Sequence, residues 1–125
     1  MQQSPKVSVI IPVYGVERFI ERCARSLMEQ TLDNVEYIFV DDASKDKSME
    51  ILQTVLKCYP KRENSIQIVR HNQNKGLPAA RNTGLEIASG EYVFHCDSDD
   101  FMELGALEAL YNQAKQDDAD IVWSD

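Results

Sequence analysis

The sequence lacks the features that mark membrane, secreted and nucleic-acid-coating proteins. No apolar stretch approaches the ~20 residues that span a bilayer, and the start, MQQSPK, has no signal-peptide core. Cys23, Cys58 and Cys96 lie far apart without a CxxC spacing, so neither a disulfide framework nor a zinc site is indicated. We therefore expect reduced thiols in a cytoplasmic protein without a transmembrane segment.

Positive charge is also scarce. The chain carries 13 Lys and Arg against 21 Asp and Glu, for a net charge of -8. This balance argues against a surface that neutralises nucleic-acid phosphates, although it leaves a nucleotide ligand possible. A GxGxxG segment after the first predicted strand is missing too, which disfavours a dinucleotide-binding oxidoreductase.

What is present is the composition of one ordinary globular domain. The 125 residues are 43% hydrophobic and 27% charged, enough for a single core spanning residues 1–125. Apolar periodicity predicts strands at residues 7–11, 36–40, 65–70 and 92–96, with a fifth beginning at 121–123. It predicts helices at 17–30, 46–59, 78–88 and 104–115, with Asp46 as an N-cap and Gly90 as a left-handed C-cap. This alternation predicts the α/β class, a mostly parallel sheet with helices on both faces.

Polar residues collect at the carboxyl ends of the predicted strands. Pro12 and Tyr14 follow the first, Asp42 the second, the loop 72–76 the third, and the run 97–100 the fourth. In open parallel sheets, ligands bind outside these ends. We therefore expect a ligand site along this edge.

The run Asp97-Ser98-Asp99-Asp100 predicts a divalent metal. Carboxylates this close repel one another unless a cation lies among them. Without a His or Cys motif nearby, hard oxygen ligands favour Mg²⁺ or Mn²⁺ over zinc. Such ions commonly complete their coordination with phosphate oxygens, so a phosphate-bearing ligand is implied.

Four segments of the chain resemble the inverting family 2 glycosyltransferases of the GT-A fold. The family order is strand-P-x-Y, V-D-D-x-S-x-D, N-x-G-x-x-x-A-R-N-x-G, and G-x-Y-(apolar)₃-D-x-D-D. Here the matching segments read VSVIIPVY, YIFVDDASKD, NKGLPAARNTG and GEYVFHCDSDD, and the resemblance that they carry extends over nearly the whole chain. Gly15 stands where the family usually has Asn, and Ala43 replaces a common Gly, so a left-handed turn there is less favourable.

The resemblance implies a Rossmann-like donor half that binds a nucleotide-diphospho-sugar. It implies transfer to a saccharide or glycolipid acceptor, with inversion, in polysaccharide or glycoconjugate biosynthesis. Tyr14 would contact the base with its ring, Asp42 would accept the N–H of a uracil-type base and so favour UDP, and Arg81 would contact base or diphosphate. The implied nucleotide-sugar-binding residues are Pro12, Tyr14, Glu17, Asp42, Asn72, Gly76, Arg81, Asp97 and Ser98, with Asp99 and Asp97 as metal ligands.

The resemblance also implies what lies elsewhere. The general base and the acceptor half are expected beyond residue 125, so this segment is expected to be a truncated donor part. Peripheral membrane association of the parent protein is compatible with the resemblance.

Other interpretations stay open at this point. A signalling receiver also binds Mg²⁺ with aspartates on a doubly wound sheet, but it needs its acidic pair after the first strand and a lysine after the fifth, where Ser124 and Asp125 stand. A second alternative is a donor-binding half without activity of its own.

Single residues also have alternative roles. Tyr14 could be a core residue, and Arg81 could pair with Asp42 or Glu86. Ser44 and Asp46 suit turn or cap roles, and His71 and His95 suit structural ones.

Overall fold

The computed structural model describes residues 5–117 and 121–123. The strands are β1 (Val7–Val13), β2 (Val35–Asp41), β3 (Ile66–Arg70), β4 (Tyr92–His95) and β5 (Ile121–Trp123). The helices are α1 (Ile20–Met28), α2 (Ser48–Leu56), α3 (Leu77–Ile87) and α4 (Ala106–Asp117), with a short 3-10 helix at Pro60–Ser65. Among these described helices, none has the length and apolar character needed to cross a bilayer.

All described strand pairs are parallel, in the order β3-β2-β1-β4-β5. The chain moves outward from β1 to β3, then returns to place β4 on the other side of β1. The direction of strand order therefore reverses between β1 and β4, which opens a crevice outside their carboxyl ends. The predicted α/β class with a parallel sheet is confirmed.

Helices cover both faces of the sheet. Successive residues of β2 point to opposite faces; Tyr37 and Phe39 join the larger core with α1, α2 and α4, whereas Ile38 and Val40 pack against α3. On the α3 face, Gly84 approaches β1 so closely that a Cβ there would lie 2.5 Å from Ile10. This contact fixes α3 over the centre of the sheet, with its N-terminus at the carboxyl edge of the strands.

β1 extends through Pro12 instead of ending at Ile11 as predicted. Successive residues of a strand direct their N–H and C=O groups alternately to the two neighbouring strands. The Ile10 carbonyl accepts from the Cys96 N–H, on the β4 side of β1. Pro12, two positions after Ile10, therefore faces the same side. The β1–β4 register pairs end at Ile10 and His95. The proline's missing donor therefore falls where β4 has already ended, and a central strand tolerates it.

Three other predictions need correction. Asp46 is not the N-cap of α2, which begins at Ser48 after Lys47. The glycine at 90 is not left-handed; it is required because a Cβ there would lie 2.5 Å from the Ser8 nitrogen. α1 is shorter than the predicted 17–30, since a turn closed by Val16 precedes it.

Candidate functional site

A cavity of about 380 Å³ opens outside the carboxyl ends of β1, β2 and β4, next to the N-terminus of α3. It lies at the reversal of strand order, where the topology predicts ligand binding. Its lining residues come from all four predicted polar segments: Pro12, Val13, Tyr14, Val16, Asp42, Asn74, Gly76, Leu77, Ala80, Asp97, Ser98 and Asp99.

Most sequence-predicted site residues meet in this cavity. The lining includes the predicted Pro12, Tyr14, Asp42, Gly76, Asp97, Ser98 and Asp99. Tyr14 is 50% exposed, so it is not the core residue that the alternative interpretation required. Its ring is available to a ligand.

Three predicted residues do not line the cavity. Glu17 is exposed, and its backbone N–H donates to the Asp46 carboxylate at 3.3 Å. Asn72 is exposed and outside the lining, whereas Asn74 belongs to it. Arg81 adjoins the cavity through a 3.3 Å ion pair with Asp97, a partner other than the Asp42 or Glu86 that the alternative named.

Asp42 is the most enclosed acidic group of the site, with its side chain 4% exposed. Oδ1 accepts from His71 Nδ1 at 2.7 Å and from the Lys75 N–H at 2.9 Å, and Oδ2 accepts from the Gly76 N–H at 2.9 Å. Burial opposes ionisation, but these hydrogen bonds outweigh it and hold the pKa of Asp42 below its ordinary value. The carboxylate joins β2 to the loop before α3.

His71 extends this network to α3. Its side chain is 6% exposed, and Nε2 lies 2.8 Å from the Thr83 hydroxyl, which also approaches the Ala79 carbonyl at 3.0 Å. Sequence reasoning assigned His71 a structural role without a partner. Asp42 is 29 positions earlier in the chain, and no local spacing signals that contact; only their shared place at the ends of adjacent strands does.

Gly76 gives the loop its final turn into α3. Its φ of 94° and ψ of 164° fall in a region essentially restricted to glycine. This conformation aims the Gly76 N–H at Asp42 while its carbonyl accepts from the Ala80 N–H at 3.1 Å, in the first turn of α3. The glycine in the third sequence block is thus needed for backbone geometry.

The segment after β4 is held mainly through its backbone. The Asp100 N–H donates to the Asp97 carbonyl at 3.1 Å, and the thiols of Cys23 and Cys96 lie 3.8 and 3.6 Å from that same oxygen. The Asp97 side chain is 55% exposed. Its carboxylate is therefore presented to the cavity by a fixed backbone.

The donor set fits a metal shared with a ligand. In residues 5–117 and 121–123, no group of three or more His, Cys, Asp or Glu side chains comes together to hold an ion. Asp97 and Asp99 nevertheless line one cavity. Two carboxylates, with further positions left to water and phosphate oxygens, match the preference of Mg²⁺-type ions.

Ser44 and Asp46 serve the turn before α2, as expected. The Ser44 N–H donates to Asp41 Oδ1 at 2.9 Å, and the Ser48 N–H donates to Asp46 Oδ1 at 3.0 Å. Between Asp41 and Ser44, Ala43 adopts a left-handed φ of 63°. The unfavourable turn expected where the family usually has glycine is present.

Comparison with known proteins identifies what the chain is similar to. Residues 8–125 match the model of the glycosyl transferase family 2. An uncharacterized glycosyltransferase, EpsJ, from Bacillus subtilis (strain 168) is 42% identical over 118 residues, covering 94% of this chain and 33% of EpsJ. A poly(ribitol-phosphate) beta-glucosyltransferase from Bacillus spizizenii is 40% identical, covering 93% of this chain and 18% of that enzyme.

Solved structures give the same result. TarS residues 1–349 from S. aureus, in complex with UDP, superpose with a TM-score of 0.76 at 30% identity, covering 89% of this chain and 32% of that one. A mannosyltransferase from Pyrobaculum calidifontis, in complex with GDP-Man and Mn²⁺, superposes with a TM-score of 0.76 at 30% identity, covering 90% and 32%. The predicted Rossmann-like GT-A architecture is confirmed, and the chain spans about a third of the length of the first curated relatives it matches.

Proposed function

The chain belongs to glycosyl transferase family 2, and on that basis we propose that it binds a UDP-sugar with a divalent metal. The protein then transfers the sugar, with inversion, to a hydroxyl of a saccharide or glycolipid acceptor in polysaccharide or glycoconjugate biosynthesis. One observation carries the proposal: Tyr14, Asp42, Asp97 and Asp99 come from three different strand ends and line one cavity. The match to this family also disfavours the receiver alternative, whose diagnostic positions 124 and 125 lie outside the described residues.

The base occupies the Asp42 end of the cavity in this proposal. Pro12 and the exposed Tyr14 ring border the base and ribose, offering an apolar surface for stacking. The Asp42 carboxylate accepts a base N–H, and Gly76 lets the backbone approach closely. Glu17 is exposed and lies outside the cavity lining, so any contact that it makes with the donor comes from outside this cavity.

The diphosphate occupies the opposite end. Asp99, assisted by Asp97, would hold Mn²⁺ or Mg²⁺, which when bound withdraws charge from the departing nucleoside diphosphate. Arg81 lies beside Asp97 at 3.3 Å, where its guanidinium can orient a phosphate oxygen through two N–H groups. Ser98, buried between the two aspartates, contributes to the lining.

We place the general base and the acceptor site beyond residue 125. The chain corresponds to about a third of its relatives, which favours a second candidate function: donor binding by this segment with no transfer of its own. We place the reaction in the cytoplasm, in keeping with the spacing of the three cysteines.

Calorimetric titration of UDP with Mn²⁺, and again with a chelator, tests the proposal. We expect UDP to bind the wild-type chain only with metal, and Asp99→Asn to weaken binding by about a hundredfold because it removes a charged ligand. Asp33→Asn, an exposed substitution before β2 and outside the cavity lining, is the matched control and should bind as wild type does.

Two results would count against the proposed function. Equal UDP affinity with and without chelator would refute the metal requirement. Absence of binding of any nucleotide diphosphate by the wild-type chain would refute donor binding by this segment. Release of free sugar from a UDP-sugar, assayed in parallel, distinguishes donor binding alone from an active segment.

A further inference from the structure

We propose that His71 determines base specificity by occupying one oxygen of Asp42, so that the cavity accepts uracil and rejects guanine. The proposal rests on the function proposed above, because it assumes that Asp42 meets the base. It adds a positioning residue, His71, to that site. The hydrogen bonds around the Asp42 carboxylate, counted atom by atom, carry the inference.

An ionised carboxylate has about four acceptor positions, two on each oxygen. At Asp42, Oδ1 uses both of its positions, one for His71 Nδ1 and one for the Lys75 N–H. Oδ2 uses one for the Gly76 N–H. A single acceptor position on Oδ2 is therefore left for a ligand in the cavity.

His71 is fixed in the orientation that this occupancy requires. Because an ionised carboxylate can only accept, the 2.7 Å contact makes Nδ1 the donor. Nε2 is held at 2.8 Å by Thr83, and the side chain is 6% exposed, so it has little room to rotate. The hydrogen bonds that hold the pKa of Asp42 below its ordinary value keep that carboxylate ionised at neutral pH.

One acceptor position suits uracil better than guanine. Uracil presents a single N–H between two carbonyl groups, whereas the corresponding edge of guanine presents an N–H and an adjacent amino group. A carboxylate binds guanine well only when both of its oxygens accept. With Oδ1 filled by His71 and Lys75, one guanine donor loses its partner on desolvation, which is costly in a buried site.

Only substitution by proline would remove the two backbone donors, whereas many substitutions remove the His71 donor. His71→Leu removes one of the three donors that fix the carboxylate, so Asp42 can turn about its Cβ–Cγ bond and offer the freed position on Oδ1 to guanine. His71→Asn keeps a donor, because the asparagine amide nitrogen occupies about the place of Nδ1. Both variants lose the Nε2 contact with Thr83, so a difference between them reports the donor to Asp42 alone.

Calorimetric titrations of UDP and GDP, each with Mn²⁺, against the wild-type chain and both variants test the proposal. We expect wild type to prefer UDP, His71→Leu to reduce the UDP-to-GDP affinity ratio by about tenfold, and His71→Asn to restore most of it. Circular dichroism melts show which variants are folded. In the wild-type chain, the ¹H–¹⁵N spectrum of the His71 ring should show a protonated Nδ1, which does not depend on any variant folding.

The outcomes separate the two proposals. Wild-type chain that binds neither nucleotide refutes the proposed function and the specificity proposal with it. UDP binding with no preference over GDP, an unchanged ratio in folded His71→Leu, or an unprotonated Nδ1 refutes the role of His71 alone.

Discussion

The two acidic regions of the cavity are built in opposite ways. Asp42 is 4% exposed, and three protein donors hold its carboxylate. Asp97 is 55% exposed, and among the hydrogen bonds described for its side chain one donor, Arg81, approaches at 3.3 Å. The protein fills three acceptor positions of the first carboxylate and leaves one, whereas it leaves most of the second carboxylate to a ligand.

The difference follows from what each end of the proposed ligand demands. A neutral base is recognised through hydrogen bonds, which depend on the orientation of donor and acceptor. Affinity for the base is therefore higher when the acceptor is fixed before binding. A diphosphate with its metal is recognised by charge, which acts at longer range. The protein carboxylates that coordinate the metal must be able to exchange water for the ion. Stability therefore depends on the Asp42 region, and ligand affinity depends on both.

The largest effect should come from removing each carboxylate in turn. Asp42→Ala leaves three donors without their acceptor in a buried setting, and we expect the free energy of unfolding to fall by about 3 kcal/mol. Asp97→Ala removes one exposed ion-pair partner, and we expect a change of about 0.5 kcal/mol or less. Urea denaturation measures both. Similar losses at the two positions would contradict the comparison.

Acid should distinguish the same two regions. Because the pKa of folded Asp42 lies below its ordinary value of 3.8, its ionised form contributes stability that is fully present above that ordinary value. This contribution is lost as the pH falls further through the folded pKa. The difference in unfolding free energy between wild type and Asp42→Asn should therefore shrink between about pH 6 and about pH 3. A difference that stays constant over this range would contradict the assignment.

A smaller effect is expected beside Asp42, at the strained turn. Ala43 has a φ of 63°, which costs an L-residue about 1–2 kcal/mol, partly offset by the greater freedom that glycine has when unfolded. Ala43→Gly should raise the free energy of unfolding by about 0.5–1 kcal/mol. Ala109→Gly, an exposed position within α4, is the control and should lower it by about 1 kcal/mol. Destabilisation by both would show that the turn is unstrained.

The smallest effect on stability is expected at Arg81. Its pair with Asp97 is partly exposed on both sides, so Arg81→Met should cost about 0.5 kcal/mol or less. Arg25→Met breaks an exposed pair with Glu21, together with a 3.5 Å contact to the Tyr59 hydroxyl, and is the control. Thermal melts at low and high salt measure both. A loss of stability at Arg81 several times that at Arg25 would show that Arg81 contributes to stability as the buried Asp42 region does.

The sequence was most informative where the physics is local. Continuous apolar runs identified β1, β2 and β4, and the prolines and glycines identified the loops around α3. The segment that we propose to bind metal was recognised because Asp97 and Asp99 come shortly after a buried strand. Each of these inferences needed only neighbouring residues.

Contacts between distant segments were harder to predict. Gly90 was expected to be left-handed, but its real constraint is the backbone of Ser8, 82 positions earlier. His71 was given a structural role without a named partner, because Asp42 follows a different strand, 29 positions earlier. Asn72 was predicted for the site, although the matching segment NKGLPAARNTG begins at Asn74, and Asn74 is the asparagine that lines the cavity.

The partners of Asp42 also bear on how such a site could diversify. Two of its three donors are backbone N–H groups, which among amino-acid substitutions only proline takes away. Replacing Asp42 therefore carries a heavy penalty in stability, whereas exchanging His71 changes only one contact of the carboxylate. If a lineage were selected for a nucleotide-sugar with a different base, the least costly substitution would be at His71. This residue lies one position beyond β3 and does not line the cavity.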